Sequence, residues 1–448
     1  MRKYGFWLVL PLLAAYVGLR ARAVFVLDED RFVLYARNLL DGFYAPPDTL
    51  FLWNGPGYPL LLAPFVFLGI NLLWAKLLNA LFLAGAWLYL GLTLRLYVPR
   101  RQVAPTVWVA GLYLAVFDAP WLHLLMTETL AAFLVAGFAF HFCAWQTRPW
   151  NIPGGMLPSA ARKHALAASL YLGYLALTKF FFGYVIAFML VGSLAAWLGA
   201  SILGRARGAP RPRPQGPPRA RLRGSLFPRG ALVCALALAV CLPYLAYTWR
   251  LTGKIFYWGN TGGSQLYTLT LPEDHLLGDV VPVNWAVGYP EFFPSEHAFL
   301  KRIESWNEVD RDIAFRAEAW RNIHAHPGKF LRNWRANVNR LAFDHPYTRF
   351  PWAQSGTRTG NLSFVTAPAF FLFLFCLYPV LRNRSAFPGE AFWLLAFAAV
   401  SLGGLSLLSA YARFVFPLLP ILALGAGLTF HLALDFRFRG NPPPGRAA

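Results

Sequence analysis

The chain has 448 residues, 57% of them hydrophobic and only 14% charged, with a mean hydropathy of +0.44. Soluble domains run at about 45–50% apolar and about 25% charged residues, so this composition excludes one and calls for a polytopic membrane protein. The formal net charge of +21 would suit nucleic acid, but the most basic stretch, 204–224, has no aromatic side chain among its arginines, which argues against that partner.

The first apolar run, 4–26, starts with Arg-Lys and has no small-residue cleavage site, so it reads as a retained helix. It opens directly onto "DEDRFVLYARNLLDGF" (28–43), where Asp28, Glu29 and Asp30 stand in a row before Arg31. A helix over 29–41 is expected, with acids in its first turn and Gly42 as its stop; N-capping alone would account for such acids. An apolar stretch at 57–72 reads as an interfacial or re-entrant helix. Further spans are predicted at 74–98, 103–120, 125–145, 164–178, 181–203, 230–250, 363–381, 389–409 and 414–433, giving ten in all; 103–120 and 164–178 are short, and the break before 125 is weak.

Lys and Arg set the orientation. With the N-terminus inside, the basic residues of 95–101, 148–163, 382–384 and 437–446 fall on the inner side, as does the arginine-rich loop "GRARGAPRPRPQGPPRARLRG" (204–224); Glu390 and Asp435 are the acids among them. Both termini are therefore expected in the cytoplasm. The arginine loop is a flexible linker suited to anionic headgroups.

The expected division is a membrane module at 1–250 with an acidic outer loop (28–56) and a basic inner loop (204–229), an α-rich outer subdomain at 251–361, and C-terminal helices at 362–448. Within the subdomain, Phe299, Ile303 and Trp306, then Ile313, Ala317, Trp320 and Ile323, recur at helical spacing, and His326-Pro327-Gly328 breaks the pattern. His324 and His326 lack a zinc-site context, and no metal is expected. The four cysteines lie in apolar runs and read as packing residues. "GNTGGSQLYTL" (259–269) lacks the ending of a phosphate-binding P-loop; its glycines suit a close backbone approach, and Trp258 and Tyr267 are candidates to stack on a sugar.

This topology gathers charges of both signs at one face: Asp28–Asp30, Asp118 and Glu128 around the turn in "FDAPWLHLLMTETL", Lys179 in "LTKFFFG", and Arg413 in "SAYARFVFPLLP". Charge at membrane depth is costly and marks a functional site by default. Carboxylates suit a general base; Lys and Arg suit a phosphate. The plainer readings are a salt bridge for Glu128, a snorkelling lysine and an anchoring arginine.

Here the chain resembles the GT-C glycosyltransferases, integral-membrane enzymes that take sugars from polyprenyl phosphates and include protein O-mannosyltransferases and aminoarabinose transferases. "DEDRFVLYARNLLDG" is similar to their first-loop motif, with Phe32 where an aromatic stands, and the likeness continues in "NGPGYPLLLAPFVFLG", "MTETL", "LALTKFFFG" and "RFVFPLLP". The chain departs from them in the extra Asp30, in Glu128 where many have Asp, and in having no large C-terminal domain.

The resemblance implies an all-α membrane fold and an inverting sugar transfer to a lipid, glycan or protein acceptor on the extracytoplasmic side of a bacterial cytoplasmic membrane. Asp28 or Glu29 would be the base; Lys179, Arg413 and Arg31 would hold the donor phosphate; Glu128, Asp30 and Tyr267 would support them. The donor would be a polyprenyl-phosphate sugar, with no cofactor expected; a divalent ion at Asp28–Asp30, which some members of the group need, is the less favoured alternative. The alternative is a transporter or flippase of a lipid-linked anion, which would carry charges near the bilayer midplane and inverted repeats; neither is found.

Overall fold

The structure is a computed structural model, and it describes residues 5–22, 24–26, 28–147, 159–206, 218–279, 287–348, 367–372, 374–376, 387–408 and 410–439. Among these residues there is no β-strand. Six helices are long and apolar enough to cross a membrane. They are α4 (Leu73–Leu94), α6 (Thr127–Gln146), α8 (Phe181–Ala206), α9 (Pro218–Thr252), α14 (Gly389–Ser406) and the last, α15 (Leu419–Arg439), which a 3-10 segment, Ala412–Leu418, leads into. The other predicted spans are shorter or more polar helices: α1 (Gly5–Arg20), α5 (Arg100–Asp118), α7 (Ser159–Thr178) and a short apolar helix, Ala367–Cys376. The rest of predicted span 363–381 and the centre of the 204–224 loop lie outside the described residues.

α6 is the axis of the bundle. It is buried almost all round, with α4 and α7 packed along it, and its small residues Ala131, Ala132, Ala136 and Ala139 let them approach closely. α8, by contrast, leaves most of its apolar surface uncovered, as a lipid-facing helix does.

Two helix bounds differ from expectation for identifiable reasons. The first span stops at Arg20 rather than residue 26, since Arg20 and Arg22 end the apolar run. The last span begins with a 3-10 turn because Pro417 and Pro420 have no N–H to offer an α-helical ladder. α2 (Glu29–Leu40) ends as predicted before Gly42, which takes a φ of +87°. The expected interfacial helix is α3 (Gly57–Phe67).

The described residues of 253–279 and 287–348 form a helical layer over one end of the bundle. It comprises α10 (Gly262–Thr270), α11 (His297–Ile303), α12 (Glu308–Ala325) and α13 (Pro327–Phe343) around a small core that includes Tyr267, Leu271, Phe293, Ile303 and Phe315. Burying each such side chain contributes roughly 1.5–3 kcal/mol. Asn307 caps α12 by accepting from the N–H groups of Val309 and Asp310, which splits the helical pattern between Ile303 and Glu308. The buried face of α12 is Val309, Asp312, Phe315, Ala319 and Asn322, not the predicted Ile313–Ala317–Trp320–Ile323 stripe; Ile313 and Trp320 are exposed. Periodicity misjudged the phase because a charged residue, Asp312, belongs inside: its carboxylate accepts from Gly263 N at 2.6 Å and pairs with Arg316 at 2.6 Å.

The layer is fastened to the bundle by polar side chains. Asn260 donates to Leu50 O (2.6 Å) and accepts from Leu52 N (3.1 Å). Trp334 donates to Ser406 Oγ at 3.0 Å, and Asn337 donates to the carbonyls of Ser406 and Leu408 just beyond α14.

Candidate active site at the covered end of the bundle

Five charged side chains from four separate stretches of chain meet beneath this layer. Arg31 lies 3.4 Å from Asp28, Asp28 lies 3.5 Å from Arg413, Arg413 lies 3.8 Å from Glu128, and Glu128 lies 3.1 Å from Lys179. The result is an alternating chain, Arg31–Asp28–Arg413–Glu128–Lys179, with one more cation than anion. Its members are partly open, Asp28 at 28% and Arg413 at 20% side-chain exposure, except Glu128 at 2%.

Local structure explains each position. Glu128 sits in the first turn of α6 and Lys179 just past the end of α7, the ends at which helix dipoles favour an anion and a cation. The two helices run antiparallel, which brings these ends together. Asp28 precedes α2 without capping it through its side chain, so its carboxylate is free for Arg31 one turn on and for Arg413. Arg413 rides on the 3-10 segment, its guanidinium 5.5 Å from the ring of Phe414, which also lies 5.5 Å from Lys179 Nζ.

The backing of the site accounts for "NGPGYP". A Cβ on Gly55 would overlap Leu177 O, and one on Gly57 would stand 2.6 Å from Thr178 Oγ1. The two glycines let the first loop press against the turn that presents Lys179, and Tyr174 fastens it by donating to Gly57 O at 2.7 Å.

Other predicted site residues are elsewhere. Glu29 is wholly buried: Oε1 meets Lys76 Nζ and Leu125 N, each at 2.8 Å, and Oε2 accepts from Val26 N at 2.9 Å. Both its oxygens are therefore taken, and it faces away from the ion chain. Asp30 is exposed and accepts from the backbone N–H of Arg31. Tyr267 lies in the small core and donates to Glu296 at 2.9 Å, and Trp258 is fully buried, so neither is open to stack on a sugar. Gly259 and Gly263 press against Leu52 and Asp312 of the protein itself. Asp118 is buried and accepts from Thr129 at 2.6 Å. Among the described residues no group of three or more potential metal ligands comes together. Burial pushes the Glu296 carboxyl up to about 7, with Glu273 and Glu318 adding to the rise.

Three contributors were missed in the sequence. Lys76 stands as a lone cation within an apolar run, a signal that a buried carboxylate must answer it. Trp53 and Tyr411 carry no such mark; the Arg31 guanidinium lies 4.8 Å from the ring of Trp53 and that of Arg413 lies 5.7 Å from Tyr411.

No family model and no curated protein matches the chain. Among solved structures it is similar to the oligosaccharyltransferase of Archaeoglobus fulgidus in the apo form, at 16% identity and a TM-score of 0.49 over 100% of this chain and 53% of that one. The same archaeon's oligosaccharyltransferase AglB, in complex with an inhibitory peptide and a dolichol-phosphate, gives 15% identity and a TM-score of 0.48 over the same shares. ArnT from Cupriavidus metallidurans, bound to undecaprenyl phosphate, gives 15% identity and a TM-score of 0.40 over 99% of this chain and 82% of that one. The chain spans about half the length of the archaeal proteins to which it is similar.

Proposed function

We propose that the chain transfers a sugar from a polyprenyl-phosphate donor to an acceptor at the extracytoplasmic face of the membrane, with inversion at the anomeric carbon. The observation that carries this reading is the Arg31–Asp28–Arg413–Glu128–Lys179 chain, whose excess positive charge suits a phosphate and whose open carboxylate suits a base. Asp28 takes the proton of the acceptor hydroxyl or amine as its heteroatom bonds to the anomeric carbon. The bond from that carbon to the phosphate oxygen breaks, and its electron pair leaves with the phosphate. Arg413, Lys179 and Arg31 neutralise the departing charge, the electrostatic contribution that is usually largest. Glu128, the most buried member, holds Lys179 and Arg413 in place.

Two further observations support the reading. The ionic chain sits where helices end rather than at mid-bilayer, which favours chemistry at the interface over passage through it. By the positive-inside rule the basic stretches of the sequence belong to the inner side and Asp28, Glu128, Lys179 and Arg413 to the other, which supports an outer-face site.

The test is a transfer assay with purified protein in nanodiscs and a panel of polyprenyl-phosphate sugars. Wild type is expected to release polyprenyl phosphate and glycosylate an acceptor, and Asp28→Asn to lose roughly 10²- to 10⁴-fold in rate. Equal rates for the two would remove Asp28 as the base.

A further inference from the structure

Arg31 is the most exposed of the three cations, and its position depends on more than Asp28. Its guanidinium lies 4.8 Å from the ring of Trp53 and 5.8 Å from that of Phe51, and it donates to Asn54 Oδ1 at 3.4 Å. Trp53 is itself held on three sides. Its backbone N–H donates to Tyr35 Oη at 3.1 Å, its ring packs on Phe51 with centroids 5.1 Å apart, and its indole N–H donates to Glu308 Oε2 at 3.2 Å. Glu308 opens α12, so the acceptor of that bond comes from the covering layer rather than from the membrane bundle. Its other oxygen is taken by Arg311 at 2.6 Å, and its backbone N–H donates to Thr49 O at 3.2 Å.

We propose that Trp53 is the positioning residue of this site: locked to Glu308, it holds the Arg31 guanidinium beside Asp28, where a lipid-borne phosphate is bound. The chemistry favours this task. A planar guanidinium stacks on an indole face while its N–H edge stays available to a phosphate, and each order is gained without consuming a donor. Fixing a long side chain before the ligand arrives lowers the ordering cost of binding. Trp53 reaches the ligand only through Arg31. The inference rests on the phosphate-binding reading above.

The test measures the affinity of the full-length protein in nanodiscs for undecaprenyl phosphate, in a double-mutant cycle with Arg31. Trp53→Ala is expected to weaken binding roughly tenfold, and Trp53→Phe, which keeps an aromatic face, to restore most of it. In an Arg31→Ala background, Trp53→Ala is expected to have no further effect, which a general structural role would not produce. Glu308→Ala, which leaves the ring and releases its anchor, is expected to give a smaller loss that Glu308→Gln reverses; it carries the test if Trp53→Ala does not fold. Unchanged affinity in Trp53→Ala or Glu308→Ala, or an equal loss with and without Arg31, overturns the inference. Failure of the wild type to bind undecaprenyl phosphate overturns the phosphate reading, and the inference with it.

Discussion

Asp28 and Glu29 are chain neighbours with opposite surroundings, and helix geometry is the reason. Positions 28 and 31 share a face one turn apart, whereas 29 points about 100° away, into the space between α2 and α4. The run of three acids was legible in the sequence, but which one joined the ion chain depended on where α2 lies against α4 and the start of α6. Removing one partner of a buried pair leaves an uncompensated charge, so Glu29→Gln is expected to lower unfolding stability by about 3–5 kcal/mol, read as a fall in thermal midpoint. Asp28→Asn is expected to leave the midpoint near wild type while slowing transfer roughly 10²- to 10⁴-fold. An equal midpoint for Glu29→Gln and wild type would contradict the structural role given to Glu29. Lys179→Met is expected to leave Glu128 with Arg413 alone and to weaken undecaprenyl phosphate binding by tenfold or more, measured by the same binding titration, since charge-assisted contacts contribute about 1.5–3 kcal/mol each.

At the scale of elements, site geometry depends on how ends are pressed together. The apolar runs were readable because length and hydropathy report spans directly, yet periodicity could not show that Asp312 belongs to the inner face of α12, since its partners Gly263 and Arg316 are met only after folding. The purpose of Gly55 and Gly57 was equally hidden, because the turn they touch lies more than a hundred residues away. Gly57→Ala is expected to push the first loop off the α7–α8 turn, costing roughly 1–3 kcal/mol in stability and displacing Lys179, so that lipid-phosphate binding falls as well. The covering layer should also respond to pH. The Glu296 carboxyl is raised from 4.5 to about 7 in the fold, so the folded state holds its proton more tightly than the unfolded chain. Its contribution is fully present below about pH 4.5 and is lost as pH rises through about 7. Thermal midpoints measured from pH 5 to 8 are expected to fall across that range in wild type and to fall less in Glu296→Gln. The same slope in both would contradict the assignment.

The whole molecule is an all-α bundle crossed by several spans, with a polar layer tied over one end. Composition made the class legible, and the clustering of arginines made one end distinguishable from the other; only packing could bring Arg31, Asp28, Arg413, Glu128 and Lys179 into one line. The orientation can be checked with a cysteine at exposed Ser295, since the four native cysteines are all buried. In intact cells Ser295→Cys is expected to react with a membrane-impermeant maleimide, and labelling only after lysis would invert the topology. The proposed transfer depends above all on a lipid phosphate seated on the three cations with Asp28 facing the reacting carbon. The most direct measurement is an experimental structure of the protein with undecaprenyl phosphate bound. Phosphate oxygens are expected within hydrogen-bonding distance of Arg413 and Lys179, with Arg31 alongside; a phosphate seated anywhere else, with those side chains still paired only to Asp28 and Glu128, would contradict that arrangement.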